Sequence, residues 1–506
     1  SSIMQPVTTY AAEAEPAAYE AEYPDMEKVK GALAEDEIVT AEDYEVEAGT
    51  GFDVKSDFSG MKIHPEKVKV TYHEAKNQNG QAFDGNKADT SGSKDKESSK
   101  GKVELTIWDT SRNKDDWYTS MEKKFLEEHP DITLNKVVKE GDPGNEFYQA
   151  VASGTAPDLV NCSFTMMDSY MSAGILEPLN KYTDEWDEWG DFTKEYVDMF
   201  TKDGNVYGIP NLVAPMLFAY NKTLFEEAGI NEPPKTWDEA LEAAKKINDP
   251  DNQVTGYATL AAEWTEWFFQ YYVWQAGGDL TKENEDGTAE LTFTDPAVIQ
   301  AAEYYQKLKS EGVLQSDLTL KFNDLVKNFG MGKIGMMPFA GDWVSEAITN
   351  GIDPDDIGLC LPPVGPSGEQ TTAIAGDCYV INAKTDQAKK DAAWEYISYM
   401  TGKEYRSSYF ENLATKGAPN PVIIPRDDMS ITDFYEFPEE YAEVLESAKS
   451  IGRLEFYGKA DFGTYVDKAV QKILTDPSAD PEKEFSEAQS LCEKEALEKF
   501  NEANKK

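Results

Sequence analysis

The chain has 506 residues, too long for one ordinary hydrophobic core, so two or more domains are expected. It carries 48 Lys and Arg residues against 95 Asp and Glu residues, a formal net charge of −47. This excess of negative charge argues against nucleic acid or an anionic membrane as a direct partner, because both require a cationic protein face. We expect a soluble protein that repels its own copies and acts as a monomer.

Cysteine usage gives no support to metal or disulfide chemistry. The four cysteines are scattered without CxxC or CxxH spacing, at Cys162, Cys360, Cys378 and Cys492. That spacing predicts neither a zinc site nor a disulfide framework. Cys162 and Cys378 lie inside apolar runs, which is typical of buried thiols. We expect no metal and no cofactor, and no stretch approaches the roughly 20 apolar residues of a membrane span.

The first part of the chain differs in composition from the rest. Residues 1–90 are an acidic, low-complexity extension that we expect to be mostly irregular. Within it, Lys67–Tyr72 is a short β-like patch, too small to bury a core. Residues 91–101 are a Ser, Gly and Lys tract typical of flexible linkers. Two interpretations of the extension are equally supported. It is either a tether or adhesive segment, or a fused or misjoined fragment with no role in the main activity.

From Val103 onward the sequence alternates strands and helices. The apolar run VELTIWD predicts a strand that ends at Asp109, and an amphipathic helix is predicted after it, ending before Pro130. A strand in ITLNKVV, a helix in EFYQAVASG and a strand in APDLVNCS follow. This β-α-β-α-β order predicts a parallel sheet covered by helices.

The middle of the chain continues the mixed pattern. Two strands are predicted around Tyr207–Ile209 and Met216–Tyr220. The segment TWDEALEAAKKI has the spacing of a capping box, since Thr236 can cap the helix and Glu239 can reach back. The segment EWTEWFFQYYVWQAGG is dense in aromatic residues and ends in a double glycine, and residues 440–506 are predicted to be largely helical.

The stretch Phe329–Trp343 predicts a loop, a short buried strand over Gly332–Phe339, and a turn that carries Asp342 and Trp343. Open α/β sheets bind ligands in the crevice at the carboxyl ends of their strands. An indole beside a carboxylate suits a polyhydroxylated ring, because the indole covers an apolar sugar face and the acid accepts hydroxyl hydrogen bonds. Taken alone, a core Trp behind a turn is the better interpretation of this pattern.

Several sequence blocks, in their order and spacing, resemble a known family. They are SGTAPDLV, SAGILEPL, NVYGIP, AYNKTLFEEAGINEPPKTWDEAL, QAGGDL, FGMGKIGMMPFAGDW and AGDCYVINAKTDQAKKDAAWEYI. Together, over about residues 102–506, they resemble the extracellular solute-binding proteins of carbohydrate ABC importers, the maltose-binding-protein-like family. The resemblance implies an α/β, two-lobed fold of the periplasmic-binding-protein type (type II), with a hinge and a sugar held between the lobes.

The resemblance also implies where the two lobes lie in the sequence. One lobe takes residues 102–212 and 373–402. The other takes residues 213–372 and 403–506.

The hinge is implied near Asn211–Pro215, near Gln370–Ala373 and near Gly402, where Pro and Gly suit segments that absorb backbone rotation. The linker resembles the one that follows the lipidated cysteine in Gram-positive members. Ser91 stands where that cysteine would be, so this sequence predicts no membrane anchor. The expected location is extracellular and associated with the cell surface, as in Gram-positive members.

The ligand-binding positions are carried over from the family residue by residue. They are Asp109, Arg112, Asn113, Ser163, Phe164, Asp168, Trp264, Trp267, Asp342, Trp343, Asp377 and Phe462. Trp343 and Trp267 match positions that stack on sugars, and Trp264 either shares that role or only packs. The other positions supply polar groups at strand ends and a late aromatic ring, for which Tyr465 is the alternative to Phe462.

Several of these positions also have a purely structural interpretation. Asn113 can cap the following helix, Phe164 can be a core residue, and Asp168 can be only the first-turn acid of the next helix. The segment Trp186–Trp189 (WDEW) predicts a surface aromatic group rather than part of the cleft.

The functional prediction is a binding protein, not an enzyme, that takes a sugar, expected to be an oligosaccharide, and delivers it to the permease of an ABC importer. A glycan hydrolase with a carboxylate pair is one alternative. His64, His73 and His129 lie outside the candidate cleft, which disfavours His-based triads and metals. A surface adhesin that uses residues 1–90 is the other alternative.

Overall fold

The computed structural model describes residues 38–40, 69–71, 102–110, 116–139, 144–417 and 420–506. The predicted ligand positions Arg112 and Asn113 lie outside the described residues, as do the linker and most of the extension. Of the extension, strands β1 (Ile38–Thr40) and β2 (Lys69–Thr71) are described, and they pair in parallel. Strand β2 falls within the β-like patch predicted at Lys67–Tyr72.

Ile209–Asn221 and Ile334–Ala340 are apolar strands that are almost wholly buried, whereas Val103–Thr110 and Ile132–Lys139 alternate buried and partly exposed residues. The strands are β3 (Val103–Thr110), β4 (Ile132–Lys139), β5 (Leu159–Ser163), β6 (Thr201–Lys202), β7 (Asn205–Val206), β8 (Ile209–Asn221), β9 (Thr255–Tyr257), β10 (Thr281–Glu283), β11 (Ala289–Leu291), β12 (Ile334–Ala340), β13 (Ile357–Cys360), β14 (Thr372–Ile381) and β15 (Gly452–Arg453).

Several of the longer helices, such as Trp237–Ile247 and Lys459–Thr475, bury one apolar face. The helices are α1 (Asp116–Glu128), α2 (Gly144–Ser153), α3 (Met167–Ala173), α4 (Asn180–Thr183), α5 (Lys194–Met199), α6 (Lys222–Glu227), α7 (Trp237–Ile247), α8 (Thr265–Gln275), α9 (Pro296–Ser310), α10 (Phe322–Gly330), α11 (Val344–Thr349), α12 (Gln387–Thr401), α13 (Lys403–Lys416), α14 (Glu439–Ala448), α15 (Lys459–Thr475), α16 (Pro481–Cys492) and α17 (Glu498–Asn504). The predicted helical character of the C-terminal segment is confirmed.

Local capping chemistry fixes the start of α7. The Thr236 hydroxyl accepts a hydrogen bond from the Glu239 backbone N–H at 3.1 Å, as predicted. The Glu239 carboxylate reaches one residue further back than a capping box requires, since it accepts from the Lys235 N–H at 2.7 Å. Both bonds satisfy N–H groups that the first helical turn leaves without partners.

Contacts divide the chain into two compact units. The described residues of the first unit are those up to residue 139, together with 155–160 and 385–396. Strands β3 and β4 pair in parallel along their whole length, and the first residues of β5 pair in parallel with β3. The helix α1 packs in this unit, where Phe125 meets Tyr396 edge to face with ring centroids 5.5 Å apart. The predicted parallel β-α-β start of the chain is confirmed.

The described residues of the second unit are 144–154, 161–384, 397–417 and 420–506. The 13-residue strand β8 is central to it and pairs antiparallel with β14, β12 and β13. Strand β12 also pairs in parallel with β9. The prediction of two separate strands at Tyr207–Ile209 and Met216–Tyr220 is wrong. The strand runs through Pro210 and Pro215, because β14 pairs with its first half while β12 and β13 pair with its second.

Aromatic residues fill the helical layer of the second unit. In α8, Phe269 stacks on Phe485 with centroids 5.5 Å apart and meets Tyr305 edge to face at 5.3 Å. This packing fixes α8 against α9 and α16 and explains why a helix without an exposed polar face is stable. Within the described part of the chain, no helix is both long and apolar enough to cross a membrane.

Candidate functional site

The site is organised by the first turn of α8, where Trp264 precedes the helix with a left-handed φ of 51°. A residue other than glycine rarely adopts this conformation, and such strain is concentrated at functional positions. The Trp264 side chain is 47% exposed, whereas Trp267 is 7% exposed. All residues of α8 except Glu266 are buried, so the helix presents Trp264 at a fixed position.

Five rings form a continuous aromatic cluster, which we define as Trp264, Trp267, Phe268, Phe322 and Trp343. Phe322 is central, since its ring lies 5.1 Å from Trp264 and 5.6 Å from Trp343. Phe268 lies 6.3 Å from Trp343 and meets Trp267 edge to face at 5.2 Å. The structure therefore brings the three predicted stacking tryptophans together.

The strand and turn predicted before Trp343 are confirmed. Strand β12 is buried along its whole length and leads into a single turn of 3-10 helix, Gly341–Trp343. A Cβ at position 341 would overlap the carbonyl oxygen of Pro421, so only glycine allows the turn to pass there. Asp342 lies inside this turn, and Trp343 is 9% exposed. The turn thus delivers Trp343 to the aromatic cluster.

A cavity of about 400 Å³ lies beside α3 and the start of α15. Its lining combines carboxyl, hydroxyl and aromatic groups. The lining residues are Tyr148, Asp168, Ser169, Ser172, Ala173, Glu455, Phe456, Tyr457, Gly458, Lys459, Ala460, Asp461, Phe500, Ala503 and Asn504. We call this the carboxyl pocket, and the predicted ligand position Asp168 belongs to it.

The carboxyl pocket connects to the aromatic cluster through Lys459. Lys459 Nζ lies 3.6 Å from Glu455 Oε2 and 3.5 Å from Glu266 Oε1. Glu266 is the neighbour of Trp267 in the first turn of α8. Gly463 allows this approach, because a Cβ there would lie 3.1 Å from the Glu266 Cγ. One helical turn therefore carries an aromatic residue and a carboxylate that faces the pocket's lysine.

Burial sets the protonation of the pocket. It raises the pKa of Asp168 to about 6, with a further rise from Glu283 and an opposing effect of Lys202. Burial also raises the pKa of Glu455 to about 8, against the lowering effect of Lys459. At neutral pH Glu455 is thus mostly a protonated donor and Asp168 mostly a carboxylate acceptor. Such a pair can accept from one ligand hydroxyl and donate to another.

Phe164 and Asp377 lie in the packed interior of the second unit, and Ser163 is half-buried. Ser163 caps a short turn by accepting from the Thr165 N–H at 3.3 Å. Phe164 is 1% exposed and meets Phe200 edge to face at 4.7 Å, as its core interpretation requires. Asp377 is 2% exposed and accepts a hydrogen bond from Asn161 at 3.4 Å.

The late aromatic positions differ in exposure. Phe462 is fully buried and packs on Phe500 with centroids 4.8 Å apart, although Phe500 itself lines the carboxyl pocket. The Tyr465 hydroxyl donates to Glu495 at 2.9 Å on the protein surface. In the predicted surface aromatic group, Trp186 stacks on Trp189 with centroids 6.4 Å apart.

In the first unit, Asp109 lies at the end of β3 and is fully buried. Its Oδ2 is 3.5 Å from Lys136 Nζ, and Lys136 also pairs with the buried Glu122. The Asp109 Oδ1 accepts from the Thr110 N–H at 2.8 Å. The strand end predicted for Asp109 is observed, and its side chain takes part in a buried charge cluster.

Sequence reasoning missed Phe322, Glu266, Glu455 and Lys459. The acidic–aromatic segment LEFYGKADF, which contains Glu455 and Lys459, was a usable signal because charged residues there interrupt an otherwise amphipathic stretch. Phe322 gave no signal, since it opens an ordinary helix and meets Trp264 only through the fold.

An α/β protein with a polar cavity and an aromatic cluster that reaches the surface at Trp264 has the features of a ligand-binding protein. The family described as bacterial extracellular solute-binding protein matches residues 108–407. Because that match spans more than half of the sequence, the chain belongs to the bacterial extracellular solute-binding proteins.

Related proteins support this assignment. A multiple sugar-binding protein of Streptococcus mutans is 26% identical over 372 residues, covering 67% of this chain and 83% of that protein. An arabinooligosaccharide-binding protein of Halalkalibacterium halodurans is 24% identical over 437 residues, covering 78% of this chain and 89% of that protein.

Solved structures confirm the predicted fold. An ABC substrate-binding protein of Listeria monocytogenes in complex with cycloalternan matches with a TM-score of 0.64 at 22% identity, covering 78% of this chain and 98% of that one. Maltose-bound MalE3 of T. maritima matches with a TM-score of 0.63 at 21% identity, covering 77% and 99%. The α/β solute-binding fold expected from the sequence is thus observed.

Proposed function

We propose that this chain binds an oligosaccharide at the aromatic cluster and the carboxyl pocket, and delivers it to the permease of an ABC importer. The main observation behind the proposal is the arrangement of side chains at the start of α8. There the predicted stacking residues Trp264 and Trp267 flank Glu266, which reaches the pocket through Lys459. Relatives whose names state multiple sugars and arabinooligosaccharides support the same ligand class.

The chemistry of the site suits an extended, neutral, hydroxyl-rich ligand. Aromatic faces bury the apolar faces of sugar rings at roughly 25 cal/mol per Å² of area removed from water. Hydrogen bonds between hydroxyls and charged groups contribute about 1.5–3 kcal/mol each. Both kinds of group occur on one helix turn, so adjacent sugar units can use them together.

Ligand capture is proposed to close two lobes at the hinge positions near residues 211–215, 370–373 and 402. In the proposed division, Tyr148 and Asp168 belong to one lobe and Glu455 and Lys459 to the other, and all four line the carboxyl pocket. A ligand there contacts both lobes, and only such a ligand can shift an open–closed equilibrium, because the shift requires differential binding energy.

The carboxyl pair of the pocket is assigned to binding rather than to hydrolysis, because the related proteins are binding proteins. The protein is proposed to act outside the cell as a monomer that is associated with the cell surface. Its high negative charge disfavours self-association.

A thermal-shift screen of the full chain over a panel of plant and host oligosaccharides tests the proposal, followed by calorimetry and product analysis. A ligand at 100 times its Kd stabilises the folded state by about 2.7 kcal/mol, which raises the melting temperature. A panel in which no glycan raises the melting temperature overturns sugar binding. Cleavage products in the incubated mixtures overturn the assignment as a binding protein that leaves its ligand intact.

A further inference from the structure

The thiols of Cys162 and Cys378 are in contact in the interior of the second unit. Their Sγ atoms are 3.8 Å apart, and both residues are fully buried. Cys162 lies in β5 and Cys378 in β14, which are neighbouring strands. Since a disulfide joins sulfurs at about 2.05 Å, the two atoms need to approach by roughly 2 Å. We propose that Cys162 and Cys378 are an oxidation site that closes to a disulfide between β5 and β14.

The strands themselves hold the two sulfurs in place. One residue earlier on each strand, Asn161 donates a hydrogen bond to Asp377 at 3.4 Å. Two successive side-chain pairs therefore fix the same stretch of β5 against β14. Closing the bond requires rotation of the cysteine side chains. The register of β14 against β8 is irregular between Asp377 and Cys378, so the backbone next to Cys378 departs from regular strand pairing.

The cellular location and the other cysteines favour this pair. The chain belongs to an extracellular family, and disulfides persist in oxidising extracellular surroundings. Cys360 and Cys492 lie in other elements, β13 and α16, and burial raises the pKa of each thiol to about 12. Because they lie in other elements, these two cysteines serve as internal controls.

The oxidant is a low-molecular-weight disulfide, for example oxidised glutathione. The Cys162 thiolate attacks one sulfur of it, so a mixed disulfide forms and one small thiol leaves. The Cys378 thiolate then attacks the Cys162 sulfur, which forms the protein disulfide and expels the second small thiol. Two protein thiols lose two hydrogen atoms, and one small disulfide gains them. Because both residues are buried, the exchange takes place while the strands pair during folding or during local opening.

The bond would join residues separated by 216 positions and fix the strand that carries Asp377. It closes a long loop, and cross-links of long loops constrain the unfolded state most. The oxidised chain is therefore expected to melt at a higher temperature than the reduced chain. This inference is independent of the ligand, so it stands or fails separately from sugar binding.

The test refolds the full chain in excess oxidised glutathione and, in parallel, in reduced glutathione, followed by intact-mass analysis and peptide mapping. The expected product is lighter by two hydrogen atoms, contains a Cys162–Cys378 linked peptide, and keeps two of its four thiols when alkylated in denaturant. Its melting temperature rises and falls back after reduction.

Two variants sharpen the result. A chain with Cys360→Ser and Cys492→Ser is expected to form the same link, since it keeps the pair. A chain with Cys378→Ser is expected to form no internal link. The proposal is overturned when the pair-only chain keeps both thiols or gains only glutathione adducts, or when the link in the full chain involves Cys360 or Cys492.

Discussion

Trp264 stacks on Phe322 with ring centroids 5.1 Å apart and ring planes 25° from parallel. Phe322 covers one face of the indole, while 47% of the Trp264 side chain stays exposed. The same Phe322 ring also contacts Trp343 at 5.6 Å. One phenylalanine therefore supports both an outer and an inner tryptophan of the proposed sugar site.

Trp264→Ala is expected to weaken oligosaccharide binding without a large loss of stability. A fully covered aromatic side chain buries roughly 150–250 Å². A sugar on one exposed face therefore buries about half of that, which is worth about 2 kcal/mol or about thirtyfold in Kd. Trp343→Phe is expected to weaken binding in the same direction, because the buried indole supports Phe322 and a smaller ring leaves a gap behind it. Calorimetry on a sugar from the screen measures both effects.

Trp189→Ala is the matched control, since it removes the same side chain from the surface group of Trp186 and Trp189. Its Kd for the same sugar should equal that of the unchanged protein. If Trp264→Ala and Trp343→Phe also keep the full affinity, the aromatic cluster is not the sugar site.

The order of elements was predictable, and so was the position of Trp343 in a turn after a buried strand. Both depend on local sequence patterns. The short apolar run before Gly341 favours a buried strand, and observed β12 is shifted from the predicted span by no more than two residues. The continuous strand β8 was not predictable. It is long because different strands pair with its two halves, a property of the sheet and not of the strand's own sequence.

The candidate site was only partly predictable for the same reason. The position of Asp109 at a strand end was evident, but its contact with Lys136 depends on how α1 and β4 pack on β3. Phe322 and Glu455 lie far from Trp264 and Asp168 in the sequence. Residue types and spacing identify candidates for a site, whereas the partners of those residues follow from tertiary packing.

Glu455 is expected to make the protein less stable as pH rises. Burial raises its pKa from an ordinary value of 4.5 to about 8, so the folded state holds this proton more tightly than the unfolded chain. The resulting stabilisation is complete below about pH 4.5 and is lost as pH rises to about 8. Glu455→Gln mimics the protonated acid and should remove this loss. Urea unfolding at pH 5, 7 and 8.5 measures this loss of stability. Each unit of pKa shift corresponds to about 1.4 kcal/mol in the free energy of unfolding.

Glu443→Gln on the exposed face of α14 is the control, and it should leave the slope of stability against pH as it is in the unchanged protein. A Glu455→Gln chain whose stability falls between pH 5 and 8.5 as steeply as that of the unchanged protein contradicts the assignment. In that case other groups carry the pH dependence.

Gly341→Ala is expected to destabilise the fold and to displace Asp342 and Trp343 together. The added methyl group meets the Pro421 backbone carbonyl, which cannot rotate away as a side chain would. Overpacking of this kind costs about 1–3 kcal/mol. Gly190→Ala is the control, because nothing lies within 4 Å of a Cβ there. Thermal unfolding and sugar affinity are measured on both, and equal melting temperatures for the two variants would contradict the close contact.

Arg426→Ala is expected to cost the most stability of these changes. The guanidinium is 1% exposed, and it donates to Asp428 through Nε at 2.9 Å and to Glu188 through a terminal nitrogen at 2.7 Å. It also lies 4.9 Å from the centre of the Phe192 ring. Removing one partner of a buried charge group typically costs 3–5 kcal/mol, and about 3 kcal/mol is expected here since Glu188 is partly solvated.

Arg426→Lys should recover only part of that loss, because an ammonium cannot form the two-point contact with Asp428 or cover the Phe192 ring. Lys194→Ala is the control, since its pair with Asp198 is exposed to solvent and its loss should leave the melting temperature unchanged. Thermal unfolding ranks the three variants by melting temperature. A melting temperature of Arg426→Ala equal to that of Lys194→Ala would show that the Arg426 contacts contribute no net stability, so that the cost of burying the guanidinium cancels its ion pairs.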